Sequence, residues 1–546
     1  MSRSLAVCAG VLALASVVRG EPRLDYPQGE GMVLQSGVKA VLHGTAKPGE
    51  KLGVVYRAKT YPVQGDKLTG RWQVELDPGE AGGPFALSIQ GDKSIDLKDV
   101  HVADLLLASV LGDGMVLQRG DKAPVFGTAR PGDKVVVTFR DRTYAAVADA
   151  RGAWRADVVP GAAGGPFPMT IQGRTTLKLP EVYVGEVWVC SGQSNMHYAL
   201  SYSKDAGKLV LDPPNPGLRL QKFPEASSAP NHPALKFGGW QPAHKKAALE
   251  FSGTGYYFGA ALQEKLQVPV GLIHSAYNAT GVSEWTPDWK LVELKAGSLG
   301  HGQLYSRQIK SIQPFAIRGV IWYQGEANAQ APDPLGYDRR QAALIEGWRK
   351  DWGQGDFPFL FVQLARIGFG TEQTYGDKLP TPEQREIVKD WARVRDQQRR
   401  VLTLVPNTAM AVSYDLTTGN LHPPEKKQIA ERLALAARAL AYGEKLEYAG
   451  PLLASARREG DEVIVRFTHA TGLTAQGGAP RQFEAATADG KFQPVKARVD
   501  GEQVRLAVNG LKGPLTIRYA YREWPDGNLV NAAGLPASPF VVDGVK

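Results

Sequence analysis

Two cysteines in 546 residues leave little room for disulfide chemistry. Cys8 lies in a segment expected to be removed, and Cys190 then has no partner, so no intramolecular disulfide is expected and stability must come from core burial. The nine histidines are not grouped at ligand spacing and no H-E-x-x-H occurs, so no metal site and no cofactor are expected. After residue 20 no run of 18 apolar residues occurs, so the mature chain is expected to be soluble, without a membrane span. The net charge is +9, but the basic residues are scattered. With no zinc finger, P-loop or aromatic-plus-basic pattern, nucleic acid is not an expected partner. Glu326 has no recognisable second carboxylate, as a paired-carboxylate glycosidase would need. Oligomeric state is not encoded in any visible pattern.

What is present begins with a leader. Arg3 precedes an apolar run from Leu5 to Val18, and Val18 and Gly20 are small enough to flank a cleavage. Residues 1–20 are therefore expected to be a signal peptide, and the chain to be exported, periplasmic or extracellular. An internal repeat follows. GMVLQSGVKAVLHGTAKPGEKLGVVY (Gly31–Tyr56) is echoed by GMVLQRGDKAPVFGTARPGDKVVVTF (Gly114–Phe139), and AGGPFALSIQG from Ala81 by AGGPFPMTIQG from Ala163. The period of about 82 residues fits a small domain rather than a solenoid unit. Short alternating runs broken by Pro-Gly and Gly-Gly predict two tandem β-sandwiches, over 21–104 and 105–182. Structural support is the simpler role for them, and glycan binding the alternative.

Strand–helix alternation then predicts an α/β domain over 183–445 with a mostly parallel sheet. Its expected strands are Glu186–Cys190, Val268–Ala276, Ile317–Tyr323, Phe357–Leu364 and Thr408–Tyr414. Its expected helices include Tyr256–Leu266, Tyr337–Trp352 and Pro423–Tyr442. Residues 446–546 return to β character and predict a C-terminal β-domain.

The stretch VYVGEVWVCSGQSNMHYAL (Val182–Leu200) organises the candidate chemistry. A buried strand breaks at Ser191-Gly192, which puts Ser194 in a tight strand-to-helix turn near a helix N-terminus, where a nucleophile is lifted out of the sheet and developing negative charge is favoured. A serine there also serves as a helix cap. Met196 replaces the second glycine of the G-x-S-x-G elbow, so this is not an α/β-hydrolase turn. Cys190, four residues earlier, reads as a packing residue. His422 lies between a strand and a helix, as a base, a cap or a surface residue. Gln324, Gly325, Glu326 and Asn328 follow the third strand and could supply donors to an oxyanion. The turn Tyr277-Asn278-Ala279-Thr280 follows the second; it also forms a formal N-glycosylation sequon.

GQSNM (Gly192–Met196), VIWYQGEAN (Val320–Asn328) and LHP (Leu421–Pro423) together resemble the blocks of the sialate O-acetylesterase group of carbohydrate esterases, within the SGNH hydrolases. GMVLQ, FPFLFVQLA (Phe357–Ala365), NTAMAV (Asn407–Val412) and GLPASPF (Gly534–Phe540) resemble its flanking segments. The resemblance implies a flavodoxin-like, three-layer SGNH domain. It implies a carbohydrate O-acetylesterase acting on sialic acid or other acetylated glycans through a serine–histidine acyl-enzyme. Ser194 would attack the acetyl carbonyl and His422 would move the proton. Donors from Ser194 N–H, from the Asn278-Ala279 turn and from the Gln324 amide, with Asn328 as alternate, would hold the oxyanion. Two positions depart from the family pattern. Asn278-Ala279 stands where a Gly-Gly turn is usual, and Asn278 is the residue expected to tolerate φ > 0. Asn420 and Gly419 stand where an aspartate would orient the histidine, which leaves either Asp415 or a Ser–His dyad. A non-catalytic glycan-binding protein with a degenerate SGNH domain, and an esterase or thioesterase for non-sugar esters, are the rival readings.

Overall fold

The computed structural model describes residues 21–25, 28–120, 122–210, 214–223, 239–295, 302–330, 335–367, 390–416 and 420–546. The expected leader, residues 1–20, lies outside them.

Each N-terminal repeat folds into a small sheet packed against a larger one. In the first, strands Arg23–Leu24, Ala40–Thr45 and Arg71–Leu76 form one sheet. Val33–Gln35, Ile95–Ala103, Gly82–Gln90, Lys51–Tyr56 and Lys59–Gln64 form the other. The alternating residues Leu42, Trp72, Val54 and Ile89 fill the space between them. The second repeat keeps the register: Gly44 pairs with Trp72, and Gly127 with Trp154. A glycine is required here, because a Cβ would sit 1.8 Å from the Arg23 carbonyl oxygen at Gly44 and 1.9 Å from that of Leu106 at Gly127.

The second repeat does not end before the α/β region begins. Its last strand, β1 (Thr176–Gly192), runs for 17 residues. Its first part pairs antiparallel with Gly164–Gln172 of the repeat. Its second part pairs parallel on both sides, with β4 (Val270–Ala276) and β5 (Gly319–Tyr323). The strand passes through residues 182 and 183 without a break. The remaining strands are β2 (Asn215–Lys222), β3 (Gln241–Ala243), β6 (Phe359–Val362) and β7 (Thr408–Ala411). The parallel order is β2-β4-β1-β5-β6-β7, with β3 antiparallel on the outer edge.

Successive residues of β1 face opposite sides of this sheet. Val187 and Val189 join one core, with Trp348 and Trp391 from helices α4 (Tyr337–Trp352) and α5 (Trp391–Leu404). Trp188 and Cys190 join the other, with Phe258 and Leu433 from α2 (Gly253–Leu266) and α6 (Lys426–Tyr442). A strand buried on both faces must be apolar throughout, as VWVC is. Buried Glu186 is the exception. It accepts from Tyr442 Oη (3.1 Å) and Gln118 Nε2 (3.2 Å), and pairs with Arg318 (2.7 Å) and Arg119. Residues of the second repeat, β1, the β5 edge and α6 thus meet at one carboxylate.

The C-terminal region forms two four-stranded sheets around Val463, Val504, Ile517 and Phe540. Buried Arg395 of α5 fastens it, donating to the carbonyls of Leu364 and Ala365 beyond β6 and of Arg522 and Glu523 in the C-terminal region, at 2.7–3.0 Å.

Candidate active site

Ser194 sits where β1 ends. Gly192 has φ +138°, and a Cβ there would lie 2.1 Å from the Tyr323 carbonyl oxygen at the end of β5, so the close approach of the two strand ends needs glycine. The helix after it, α1, is one turn, Ser194–His197. Its dipole is correspondingly small. What the turn supplies is an unpaired donor: Ser194 N–H, at the first helical position, makes no hydrogen bond among the described residues.

Ser194 and His422 line one cavity of about 940 Å³, together with Gln193, His197, Tyr198, Lys222, Asn278, Ala279 and Glu326. Burial, then the nearby Lys426 ammonium, pushes the His422 imidazole below its ordinary value, which keeps it neutral and able to accept a proton at neutral pH. Its ring stacks on Tyr198, centroids 5.2 Å apart and planes 13° apart. Among the described residues no carboxylate is bonded to it. Asp415 does not turn toward His422; its carboxylate is held by two hydrogen bonds from Arg432, at 2.7 and 2.6 Å. A guanidinium fork outcompetes a distant imidazole for a carboxylate.

The Asn278-Ala279 turn forms, but the strained residue is Ala279 (φ 54°) and not Asn278. The turn is fixed on three sides. Tyr277 N–H donates to the Gly192 carbonyl (3.1 Å), Thr280 Oγ1 to the Tyr277 carbonyl (2.8 Å), and Gln324 Nε2 to the Thr280 carbonyl (3.0 Å). Ala279 lies on the cavity wall, and its N–H, like that of Ser194, has no acceptor among the described residues.

Gln324 lies behind the wall. Its amide nitrogen is committed to Gln193 Oε1 (3.1 Å), the Thr280 carbonyl (3.0 Å) and Asn328 Oδ1 (2.8 Å). Asn328 Oδ1 also accepts Val282 N–H (3.0 Å), so Asn328 serves the turn and not the cavity. Gly325 provides the bend, with φ +147°. The side-chain amide on the wall beside Ser194 belongs to Gln193. Its Oε1 accepts from Gln324 Nε2 (3.1 Å) and Ala327 N–H (3.2 Å), while its Nε2 makes no hydrogen bond among the described residues. Glu326 reaches the cavity but is buried, and accepts from Asn195 Nδ2. Cys190 is fully buried and burial raises its thiol, so it packs and does not attack. Among the described residues no cluster of three or more His, Cys, Asp or Glu could hold a metal. No helix among them is long and apolar enough to cross a membrane.

A serine, a neutral histidine and unpaired backbone donors thus lie on one cavity wall. The profile described as "Carbohydrate esterase, sialic acid-specific acetylesterase" matches residues 184–439. The crystal structure of a carbohydrate acetylesterase from Xanthomonas citri is 34% identical, with a TM-score of 0.71, over 80% of this chain and 99% of that one. The sialate O-acetylesterase of Homo sapiens is 29% identical over 491 residues, 80% of this chain and 92% of the relative. That of Mus musculus is 28% identical over 523 residues, 80% of this chain and 93% of the relative. The protein is a carboxylic ester hydrolase. More particularly, the chain belongs to the sialate O-acetylesterase family of carbohydrate esterases.

Proposed function

We propose that the chain is an exported enzyme that removes O-acetyl groups from sialic acid or other acetylated glycans, by a serine–histidine acyl-enzyme on an SGNH-type, three-layer domain. The observation that carries this is the convergence of Ser194, His422 and the unpaired N–H groups of Ser194 and Ala279 on one cavity. His422 takes the Ser194 proton as Oγ attacks the acetyl carbon. The negative charge gathers on the former carbonyl oxygen, and the two N–H groups donate to it, with Gln193 Nε2 as the side-chain donor in place of Gln324. The sugar leaves with the proton from His422, and water attacks the acetyl-serine by the same route in reverse. The cavity is large enough for a sugar ring, and Tyr198 and Tyr202 offer apolar faces along it.

The test is acetate release from an acetylated glycan mixture and from an aryl acetate by the purified chain, beside Ser194→Ala and His422→Ala. Losses of several orders of magnitude in both folded variants support the reading. A silent wild type, or an active Ser194→Ala, overturns it and favours a glycan-binding protein. N-terminal sequencing of the protein recovered outside the cytoplasm, expected to start at Glu21, tests export.

A further inference from the structure

Beneath the cavity lies a buried polar bridge that the acetyl-transfer steps do not use. Asn195, next to the nucleophile, is 1% exposed, and Lys426, at the start of α6, is 0% exposed. Lys426 Nζ donates to Asn195 Oδ1 at 2.6 Å. An ammonium can only donate, so this bond fixes which way the Asn195 amide points. Asn195 Nδ2 then donates to Glu326 Oε1 and, at 3.0 Å, to the carbonyl of Leu421, the residue before His422. One side chain beside Ser194 therefore holds the loop that carries the histidine. The same ammonium lies 5.4 Å from the Tyr198 ring centre and 5.0 Å from that of Tyr323, and Tyr198 is the ring on which His422 stacks.

Burying an ammonium this deeply is costly unless it is paired and hydrogen-bonded. The charged groups facing it are Glu326 from α3 (Glu326–Ala329), Glu425 from the turn before α6, and His422. Glu425 is itself 3.8 Å from Lys204 on the outer side. No direct ion pair joins Lys426 to Glu326; Asn195 stands between them. Burial lowers the Lys426 ammonium to about 7 and raises the Glu326 carboxyl.

We propose that Lys426 is a positioning residue of the esterase: acting through Asn195 on the Leu421 carbonyl, it keeps His422 in register with Ser194 in a site where, among the described residues, no carboxylate is bonded to the histidine. This rests on the Ser194–His422 mechanism. The bridge does for the loop what an aspartate does for the imidazole in a triad, but it grips the backbone and leaves the ring to stacking.

The test compares wild type, Lys426→Met, Asn195→Ala and the Lys426→Met/Asn195→Ala double variant on an aryl acetate, with full pH profiles. Because Lys426→Met leaves Glu326 buried without a countercharge, Lys426→Met/Glu326→Gln is made beside it. That pair removes both charges at nearly constant volume. The folded Lys426 variants are expected to turn over about 10- to 100-fold more slowly than wild type, with little change in KM. The double variant with Asn195→Ala should lose no more than Asn195→Ala alone, since both act on one bond. The acid limb of kcat/KM should also move to higher pH, because the cation that holds His422 down is gone. A buried residue with only a packing role would move neither the limb nor kcat. If both folded Lys426 variants keep kcat within about twofold, the inference fails, whether or not the limb moves. An active Ser194→Ala would instead bring down the site reading beneath it.

Discussion

Replacing Asp415 by asparagine separates two ways of holding His422. If Asp415 oriented His422, its loss would act as removal of the triad acid does in a serine protease, slowing turnover by a factor of about 10⁴. The geometry gives a much smaller number. Asp415 is exposed and bonded twice to Arg432, and Arg432 also donates to the Val412 carbonyl at the end of β7. An exposed ion pair of this kind contributes about 0–1 kcal/mol, and the guanidinium keeps a partner when the carboxylate goes. Asp415→Asn should therefore keep kcat within about threefold and cost about 0–1 kcal/mol of stability. It should lower the urea midpoint only slightly, and leave the acid limb in place. Steady-state aryl-acetate hydrolysis across pH reads the first and last of these, and urea unfolding reads the second. A folded variant slowed about a thousandfold or more would refute the dyad reading, because only loss of a histidine-orienting acid has an effect of that size.

Other outcomes follow from single features. Ala279→Gly relieves a left-handed alanine, so it should raise stability by about 1 kcal/mol or leave it unchanged, with kcat preserved; chemical denaturation measures this. The acid limb of kcat/KM should lie below pH 6.5, since burial lowers His422 and the neutral ring is the active form; a limb above 6.5 contradicts the environment described. His274 is fully buried, its value pushed well down by burial, and its ring nitrogens have no hydrogen-bond partner among the described residues. The unfolded chain binds that proton and the folded chain does not, so stability should be present above pH 6.5 and lost as pH falls below it, visible in urea midpoints between about pH 7 and 5. Glu186→Ala should cost about 3–5 kcal/mol, because it leaves Arg119 and Arg318 facing each other without a shared anion.

The parts of the fold that were legible were those with a simple period. Strands β4 to β7 lie within the expected spans, and α4 has the expected ends because Gly353 stops it in the left-handed conformation. Helix α6 starts at Lys426 and not Pro423, since Pro423 and Pro424 both precede its cap. Strand β2 and helix α5 were not legible. Both bury arginine, Arg219 under the Tyr183 ring and Arg395 among four carbonyls, and a charged residue in a pattern reads as surface. In the site, Ser194, His422, Asn278, Ala279 and Glu326 reach the cavity as their positions suggest. Gln193, and not Gln324, lies on the cavity wall, because the spacing of two amides does not say which one turns outward. Lys426 carried no signal at all, since what defines it is a contact 231 positions away along the chain.

The shared strand β1 has a mechanical meaning. Pairing with the second repeat ends at Gly185, and residues 186 to 192 rise roughly 3.3 Å each, so the repeat and the turn that carries Ser194 are joined by about 20 Å of unbroken strand. The two bodies should reorient with one correlation time.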